Sequence, residues 1–316
     1  MDISKIDEDY QIVELNQGAV GHTELIIGTY ESKPFKTVVK TQKKWERPGD
    51  PDSWRREYDL YVSGLSDIFT ENLRCPKCYH AQISDDKTKL WLEYIEGVSG
   101  SDLTVEMYEA VAKELGRFHR KSFVEKLTLS TKNLADIDGM KNFYHHYRSK
   151  KDLYNYVRQS NNDIAPHLRK MIIDLDEKSD MIWTEIEKLP IVLRHGDFFP
   201  PNIFYRNSEI VLIDWDSAGW SYFGEDIVNL IADTNDVTYM VEHYNKCVPA
   251  YQKGFSEFSD ISKIENLYLH ERIIMHFGYR LIDKYTWLNE RKTPEEQKSD
   301  LKVLQKIYEM NRSRSY

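Results

Sequence analysis

The spacing of apolar residues changes near Gly97, and this change limits the folds that the chain can adopt. Before Gly97, short runs rich in β-branched and aromatic residues, such as ELIIGTY and FKTVVK, are separated by turns that contain Gly or Pro, as in antiparallel sheets. One helical pattern, DPDSWRREYDLYVSGL, interrupts these strands, and beyond Gly97 helical spacing prevails. The sequence therefore predicts an α+β fold in two parts: a small antiparallel sheet with one helix in residues 1–96, and a larger, mainly helical part in residues 97–316.

The helical part contains one exception, the segment VLRHGDFFPPNIFYRNSEIVLIDWD. Within it, NIFYR and EIVLID have the pattern of paired strands joined by a tight turn. If the turn centres on Ser208, Asn202 lies opposite Asp214; if the turn has two residues, they are diagonal neighbours. Either register brings an amide oxygen and a carboxylate to one end of the hairpin, which suits a Mg²⁺ ion whose other ligands are phosphates.

Asp197 precedes this hairpin in the motif HGDFFPPN. Pro200 and Pro201 stiffen the connection and exclude a helix there, so we expect a fixed loop that presents the Asp197 carboxylate beside the metal-binding end. A carboxylate at that point is able to accept the proton of an attacking hydroxyl, as in kinase-type phosphoryl transfer. The alternative is that these residues serve only as turn and cap formers, a common use of Asp and Asn beside hairpins.

The net charge of −9 argues against nucleic acid as a partner. The acidic residues concentrate between His195 and Asp236, where one basic residue, Arg206, accompanies Asp197, Glu209, Asp214, Asp216, Glu225, Asp226, Asp233 and Asp236. This segment is either a solvated acidic face or a site that receives cations.

Cysteine content and hydropathy indicate the cellular environment. The three cysteines include Cys75 and Cys78 in CPKC, but no second pair follows to complete a structural zinc site. The acidic start MDISKIDEDY lacks the apolar run of a signal peptide, and no stretch approaches the roughly 18 apolar residues of a membrane span. The sequence thus predicts a cytoplasmic protein without a membrane partner, and it carries no signal for an oligomeric state.

The motifs HGDFFPPN and IDWD together resemble the catalytic and metal-binding motifs of the aminoglycoside phosphotransferase and choline kinase superfamily. The resemblance extends to ELGRFHR upstream and GEDIVNL downstream and covers nearly the whole chain. It implies a protein-kinase-like bilobal fold and a small-molecule kinase that uses Mg²⁺ and ATP, with GTP not excluded. By this resemblance Asp197 is the catalytic base, Asn202 and Asp214 are metal ligands, and Asp226 is structural.

A kinase-like N-terminal lobe requires a strand lysine for the phosphates and a helix carboxylate to hold it. Lys36 and Lys40 share a strand face, and Lys40 is the better candidate because it ends the strand after an apolar pair. Glu57 lies along the apolar stripe of the predicted helix and needs a cationic partner, which Lys40 supplies. The alternative is that Glu57 flanks the stripe and pairs with a neighbouring arginine.

The family layout implies two further nucleotide contacts. Gly18 and Gly21, in NQGAVGHTE, occupy the place of the phosphate loop, although the spacing is not GxGxxG. The segment WLEYIEG occupies the place of the hinge, so the backbone from Tyr94 to Glu96 is expected to bind the nucleotide base.

The acceptor is predicted to be a small molecule, because Trp-Asp follows Asp214 in place of Phe-Gly and no Ala-Pro-Glu follows. The local acidity favours a cationic acceptor, with candidate contacts at Asp216, Trp220, Tyr222, Asp233 and Asp236. Three hypotheses remain open: an aminoglycoside-type kinase that confers antibiotic resistance, a kinase for choline, ethanolamine, a sugar or another amino-alcohol, and an inactive kinase fold that only binds.

Overall fold

The computed structural model describes residues 10–17, 21–45, 50–64, 68–125, 133–139, 141–142, 152–159, 162–233, 236–257, 264–281 and 291–313. The chain divides into two compact units. The first comprises Met1–Leu103, Arg120–Ala135 and His195–Gly219, and the second comprises Thr104–His119, Asp136–Arg194 and Trp220–Tyr316. The predicted α+β class is confirmed, whereas a lobe boundary near Glu96 and Gly97 remains a prediction.

The main sheet of the first unit is antiparallel. Its strands run in the order β1-β2-β3-β6-β5, with β1 at Gln11–Gln17, β2 at Gly21–Tyr30, β3 at Lys33–Lys43, β5 at Cys78–Ile83 and β6 at Lys87–Glu93. Helix α1, Ser53–Val62, follows β3 and buries the face that carries Trp54, Glu57 and Leu60. These elements match the strand and helix patterns of the sequence, because the turns between them fall where Gly, Pro and polar residues cluster.

A second, smaller sheet of the first unit contains the predicted hairpin. The order is β4-β10-β9-β7, with β4 at Leu73–Arg74, β7 at Val98–Ser99, β9 at Ile203–Arg206 and β10 at Glu209–Leu212. Strand β10 pairs with β9 in antiparallel fashion and with β4 in parallel. The hairpin is therefore held on both sides by residues from the N-terminal third of the chain.

The second unit is mainly helical. Its elements include a two-stranded sheet of β8 (Ile191–Arg194) and β11 (Gly219–Tyr222). The helices are α2 (Val105–Glu125, whose last turns belong to the first unit), α3 (Asp152–Arg158), α4 (Pro166–Ile186), α5 (Glu225–Ala232), α6 (Met240–Ser256), α7 (Leu269–Arg280) and α8 (Pro294–Ser313). No helix in the described ranges is both long and apolar enough to span a lipid bilayer.

Helix α8 begins at a reciprocal cap. The Thr293 hydroxyl accepts from the Glu296 N–H at 3.2 Å, and the Glu296 carboxylate accepts from the Thr293 N–H at 2.6 Å. Pro294 occupies the first helical position, where its missing N–H is not needed. The local sequence thus fixes the start of this helix through its own cap.

Helices α2 and α6 approach each other through glycine. A Cβ at Gly116 would overlap the carbonyl oxygen of Tyr251, and a Cβ at Gly254 would overlap that of Lys113. Both obstacles are backbone atoms within helices, so neither is able to move aside cheaply. Gly278, in α7, differs because a Cβ there would meet only the Ile172 Cγ2 atom at 3.9 Å, an ordinary contact.

We expect Gly116→Ala and Gly254→Ala each to lower the free energy of unfolding by about 1–3 kcal/mol through overpacking. Gly278→Ala is the matched control, and it is expected to be neutral or to stabilise by up to about 1 kcal/mol because alanine favours the helix. Urea unfolding monitored by circular dichroism measures all three variants. A destabilisation of Gly278→Ala equal to that of the other two would contradict the assigned close approach.

His243 packs between the same two helices. Its ring stacks on Tyr108 with centroids 4.0 Å apart and an interplanar angle of 12°. Burial lowers the pKa of His243 to about 4. Between that value and the ordinary value near 6.5, the unfolded chain binds a proton that the folded protein does not. This histidine therefore contributes stability that is present above about pH 6.5 and is lost as the pH falls toward 4.

His243→Phe keeps an aromatic ring against Tyr108 and removes the proton site. We expect the free energy of unfolding of the variant to fall less steeply between about pH 6.5 and pH 4 than that of the wild type. The slopes should differ by up to about 1.4 kcal/mol per pH unit, the value for one proton. Urea unfolding at a series of pH values measures both slopes. Parallel curves would show that His243 is not the responsible group.

Candidate active site

Two carboxylates from separate elements meet at Lys40. Lys40 lies on β3, and its Nζ is 2.6 Å from Glu57 Oε2 on α1 and 2.6 Å from Asp214 Oδ1 after β10. The pairing of Lys40 with Glu57 is the one that the sequence predicts. The alternative pairing of Glu57 with an arginine is absent from the described residues, where Arg55 binds Asp59.

The electrostatics of this cluster keep Lys40 charged. Burial acts to lower the pKa of the Lys40 ammonium, but the carboxylates of Asp214, Glu57 and Asp216 outweigh it and raise that pKa above its usual range. Burial raises the pKa of the Glu57 carboxyl, while Lys40 opposes this change. Glu57 is almost completely buried, and its Oε1 also accepts from the Trp215 N–H at 3.3 Å. The result is a fixed ammonium group at neutral pH.

The backbone at Asp214 has a left-handed conformation, with φ 67° and ψ 68°. A short 3₁₀ turn, Trp215–Ser217, follows at once. The buried indole of Trp215 donates from Nε1 to the Leu212 carbonyl at 2.9 Å and thereby holds this turn against the end of β10. Non-glycine residues adopt φ above zero infrequently, so the turn fixes the Asp214 carboxylate where Lys40 reaches it.

The His195-Gly196-Asp197 loop is equally constrained. Gly196 has φ +84°, and a Cβ there would overlap the Ser217 carbonyl oxygen. The buried ring of His195 is 3.0 Å from the Ile213 carbonyl through Nε2 and accepts from the Asp197 N–H at 3.3 Å through Nδ1. These partners assign a neutral imidazole that donates from Nε2. His195 is thus a hydrogen-bonding residue of the loop.

The hairpin register places Asn202 beside Asp197. Asn207 and Ser208 have φ of 49° and 67° and form a two-residue turn, with Leu212 opposite Ile203. This is the second of the two predicted registers, so Asn202 and Asp214 are diagonal neighbours. Asn202 donates from Nδ2 to the Asp197 carbonyl at 3.0 Å and to Asp197 Oδ2 at 3.1 Å.

The donor set fits a Mg²⁺ ion. Because Nδ2 of Asn202 faces Asp197, its Oδ1 points away, and no described residue donates to that oxygen. Within the described ranges, no group of three His, Cys, Asp or Glu side chains is arranged to hold a metal. One amide oxygen and the Asp214 carboxylate therefore suit an ion that takes its remaining ligands from phosphates and water.

The predicted nucleotide contacts lie in the first unit. Lys36 Nζ is 3.2 Å from Glu96 Oε1 and 5.0 Å from the centre of the Tyr94 ring, just after β6. Gly21 begins β2, and a Cβ there would overlap the Thr41 carbonyl oxygen, so strand pairing alone requires glycine. Gly18 lies outside the described residues. Nucleotide binding by these residues remains a prediction.

The predicted acceptor contacts are divided between the two units. Asp216, in the first, accepts from the Ser217 hydroxyl at 2.8 Å. In the second, Tyr222 Oη donates to Asp138 at 3.5 Å and Asp233 binds Arg280 at 3.0 Å, while Trp220 is half-buried on β11. Asp236 caps a 3₁₀ turn by accepting from the Thr238 N–H at 2.8 Å. A contact between these residues and an acceptor remains a prediction.

Sequence reasoning missed Arg56, which precedes Glu57 on α1. Its buried guanidinium donates to both oxygens of Asp50 at 2.8 and 2.5 Å, to the Asp216 carbonyl at 2.7 Å and to the Asn133 carbonyl at 2.9 Å. It therefore fixes the helix that carries Glu57 to the segment that follows Asp214. A signal was available, because position 56 falls on the same buried stripe as positions 53, 57 and 60.

Solved structures with the same fold include several small-molecule kinases. They include the GDP complex of aminoglycoside 2′-phosphotransferase-IIIa, with a TM-score of 0.63, 14% identity and coverage of 96% of this chain and 95% of that chain. The choline kinase from Cryptosporidium parvum has a TM-score of 0.62 and 14% identity, and the match covers 99% of this chain and 93% of that chain. The amicoumacin kinase hAmiN in complex with AMP-PNP, Ca²⁺ and Ami has a TM-score of 0.58 and 15% identity, and the match covers 96% of this chain and 90% of that chain. At these identities the likeness establishes the protein-kinase-like fold alone.

Sequence comparison supplies the family. No curated protein sequence matches the chain significantly, but the model of the phosphotransferase enzyme family matches residues 45–255. That span covers more than half of the 316 residues and includes Glu57, Asp197, Asn202 and Asp214. The chain therefore belongs to the phosphotransferase enzyme family, the superfamily of aminoglycoside phosphotransferases and choline kinases that its motifs resemble.

Proposed function

We propose that this small-molecule kinase transfers the γ-phosphoryl group of ATP to a hydroxyl of a cationic, aminoglycoside-type acceptor. The observation that carries the proposal is the linked pair of clusters in the first unit. Lys40 is bound by Glu57 and Asp214, and Asp197 is bound by Asn202. The first cluster supplies a fixed cation for phosphates, and the second supplies an oriented base.

In the proposed reaction, the acceptor hydroxyl donates a hydrogen bond to the Asp197 carboxylate. Its oxygen attacks the γ-phosphorus, the bond between that phosphorus and the bridging oxygen breaks, ADP leaves, and the hydroxyl proton passes to Asp197. Asn202 keeps the Asp197 carboxylate oriented through Nδ2. Lys40 binds phosphate oxygens, and Asn202 and Asp214 would hold a Mg²⁺ ion, which when bound would supply neutralisation of phosphate charge.

The proposal of a cationic acceptor depends on how many acids between His195 and Asp236 are already paired within the chain. Five of the eight acids between His195 and Asp236 have a partner from elsewhere in the chain: Glu209 binds Arg74, Asp214 binds Lys40, Glu225 binds Arg194, Asp226 contacts His119 and Asp233 binds Arg280. The count of acids therefore overestimates the field that an amine would meet. An amine contact at Asp233 would have to displace Arg280.

The alternative acceptor is choline, ethanolamine or another amino-alcohol or sugar. A choline kinase shares the fold over 99% of this chain. Choline and ethanolamine, like aminoglycosides, present a hydroxyl near a cationic nitrogen, so the site chemistry is the same and the acceptor pocket decides between them.

A panel of aminoglycosides, choline, ethanolamine and neutral sugars, assayed with ATP, Mg²⁺ and coupled ADP detection, tests the proposal. We expect ADP release above the background ATPase rate with an aminoglycoside. Turnover with choline or ethanolamine alone would show that the acceptor is an amino-alcohol, and the proposed phosphoryl transfer would still stand. If no acceptor is phosphorylated while nucleotide still binds, the inactive binding fold becomes the correct description.

Asp197→Asn is expected to lower kcat by about 10²–10⁴-fold, the usual contribution of a general base, and to leave nucleotide affinity almost unchanged. Asp174→Asn, on the exposed face of α4 where Asp174 pairs with Lys170, is the matched control and should keep full activity. Steady-state kinetics and nucleotide titration separate the two parameters. Loss of nucleotide binding in Asp197→Asn would show that Asp197 has a different role.

Arg56→Gln is expected to lower the free energy of unfolding by about 3 kcal/mol, because it leaves the Asp50 carboxylate without its buried partner, and to lower kcat/KM for ATP. Arg55→Gln is the matched control, since the exposed pair of Arg55 with Asp59 is worth at most about 1 kcal/mol. Urea unfolding and kinetics are measured on both variants. Equal effects of the two substitutions would contradict the bracing role of Arg56.

A further inference from the structure

A small cavity inside the second unit has a mainly apolar surface, and polar side chains also lie in its lining. Arg272 and His276 of α7 contribute the basic groups, and Tyr222 and Glu225 contribute oxygen atoms. Apolar walls come from side chains of α4, α5 and α7, among them Ile186. A buried arginine in such surroundings requires acceptors for its donors, because an unpaired charged donor away from water is costly.

Arg272 has a partner for only one edge of its guanidinium. The residue is 7% exposed, and Nη1 donates to the Tyr222 carbonyl at 3.3 Å. Nε and Nη2 are buried and have no hydrogen-bond partner in the part of the chain that the structure describes. Burial lowers the pKa of Arg272 to about 10, so the group still carries its charge at pH 7.

The unpaired nitrogens form a specific recognition element. The Nε and Nη2 N–H groups of an arginine lie parallel on one edge of a plane, and this edge binds two oxygens of one carboxylate or phosphate. Across the described residues, no carboxylate forms an ion pair with Arg272. These two parallel donors fit an oxyanion that carries two oxygens on one atom. An acceptor with a single oxygen would leave one donor without a partner.

His276 adds a second group to the same cavity. It lies one helical turn beyond Arg272 on α7, and its Nδ1 is buried and has no hydrogen-bond partner among the described residues. Burial, partly opposed by Asp233, lowers the pKa of His276 to about 4, so the ring is neutral at pH 7. Its Nε2 lies 4.0 Å from Asp233 Oδ2, which favours the tautomer with the proton on Nε2, so His276 lines the cavity as a neutral polar ring and Arg272 supplies the donors.

Glu225 does not cancel the charge of Arg272. Its carboxylate is bound by Arg194 and by the Ser221 hydroxyl. The cation Arg194 therefore balances this acid, and the charge of Arg272 is left for a ligand.

We propose that this cavity is a binding site for a small oxyanion, held by the Nε–Nη2 edge of Arg272 with His276 beside it. A carboxylate of acetate size and inorganic phosphate share the required pair of oxygens. Arg272 already connects α7 to β11 through the Tyr222 carbonyl, and a bound anion would satisfy its remaining donors and so would stabilise the folded second unit. The inference is independent of the proposed phosphoryl transfer, because none of its residues belongs to the Lys40 and Asp197 clusters.

The test is thermal unfolding of the full chain at pH 7 with increasing sodium acetate, sodium phosphate or sodium chloride at matched ionic strength. We expect acetate or phosphate to raise Tm in a saturable manner by about 4 °C at a hundred times Kd, beyond the effect of chloride. Isothermal titration calorimetry with the same anion should give one site per chain. A shift with phosphate alone would identify the ligand as a phosphate, and a shift with acetate alone would identify it as a carboxylate.

Arg272→Met removes the forked donor edge without leaving a buried charge, and it should abolish the saturable Tm shift. Arg272→Lys keeps a charge without the fork and should weaken binding at least about tenfold. Arg280→Lys, on the same helix but with its own partners Asp233 and Asp300, is the control and should retain the response. An equal effect of chloride, no shift in the wild type, or a full response of Arg272→Met would each overturn the proposal.

Discussion

The ion pairs of Lys40 with Glu57 and Asp214 are the constraint on which the candidate active site depends. They join a sheet strand, a helix and the end of the hairpin, which are far apart in sequence. Because Glu57 is buried, its carboxylate is tolerated only while Lys40 stays beside it. The same ammonium group is the one that the proposed reaction requires at the phosphates. The stability of this cluster and its chemistry therefore depend on the same three charges.

The remaining contacts of the site keep that cluster in place. Trp215 is held by the Leu212 carbonyl and donates its own N–H to Glu57, which limits where Asp214 is able to lie. Gly196 passes so close to the Ser217 carbonyl that no side chain fits there. The loop with Asp197 and the turn after Asp214 are thus packed backbone against backbone. Such packing provides the fixed positions that proton and phosphoryl transfer require.

The parts of the site that the sequence predicts are those set by local rules. The hairpin is one such part, because strand patterns and a two-residue turn at Asn207 and Ser208 determine its register. Lys40 and Glu57 are also predictable, since a charge on an apolar stripe needs a partner. Arg56 was missed although it lies on the same stripe, because its acceptors, the Asp216 and Asn133 carbonyls, come from distant segments. No local pattern shows a backbone acceptor that only the fold supplies.

The partners of the acidic residues also come from distant segments, so the sequence shows the number of acids but not which of them are paired. The segment from His195 to Asp236 has a strong excess of acids, yet its partners Arg74, Arg194 and Arg280 lie outside it. These three arginines compensate Glu209, Glu225 and Asp233. Arg56 obeys the same rule through Asp50. Arg272 differs from Arg56, because its Nε–Nη2 edge has no acceptor among the described residues. In the proposed anion site, that edge receives its acceptor from a ligand, as a buried charged donor requires.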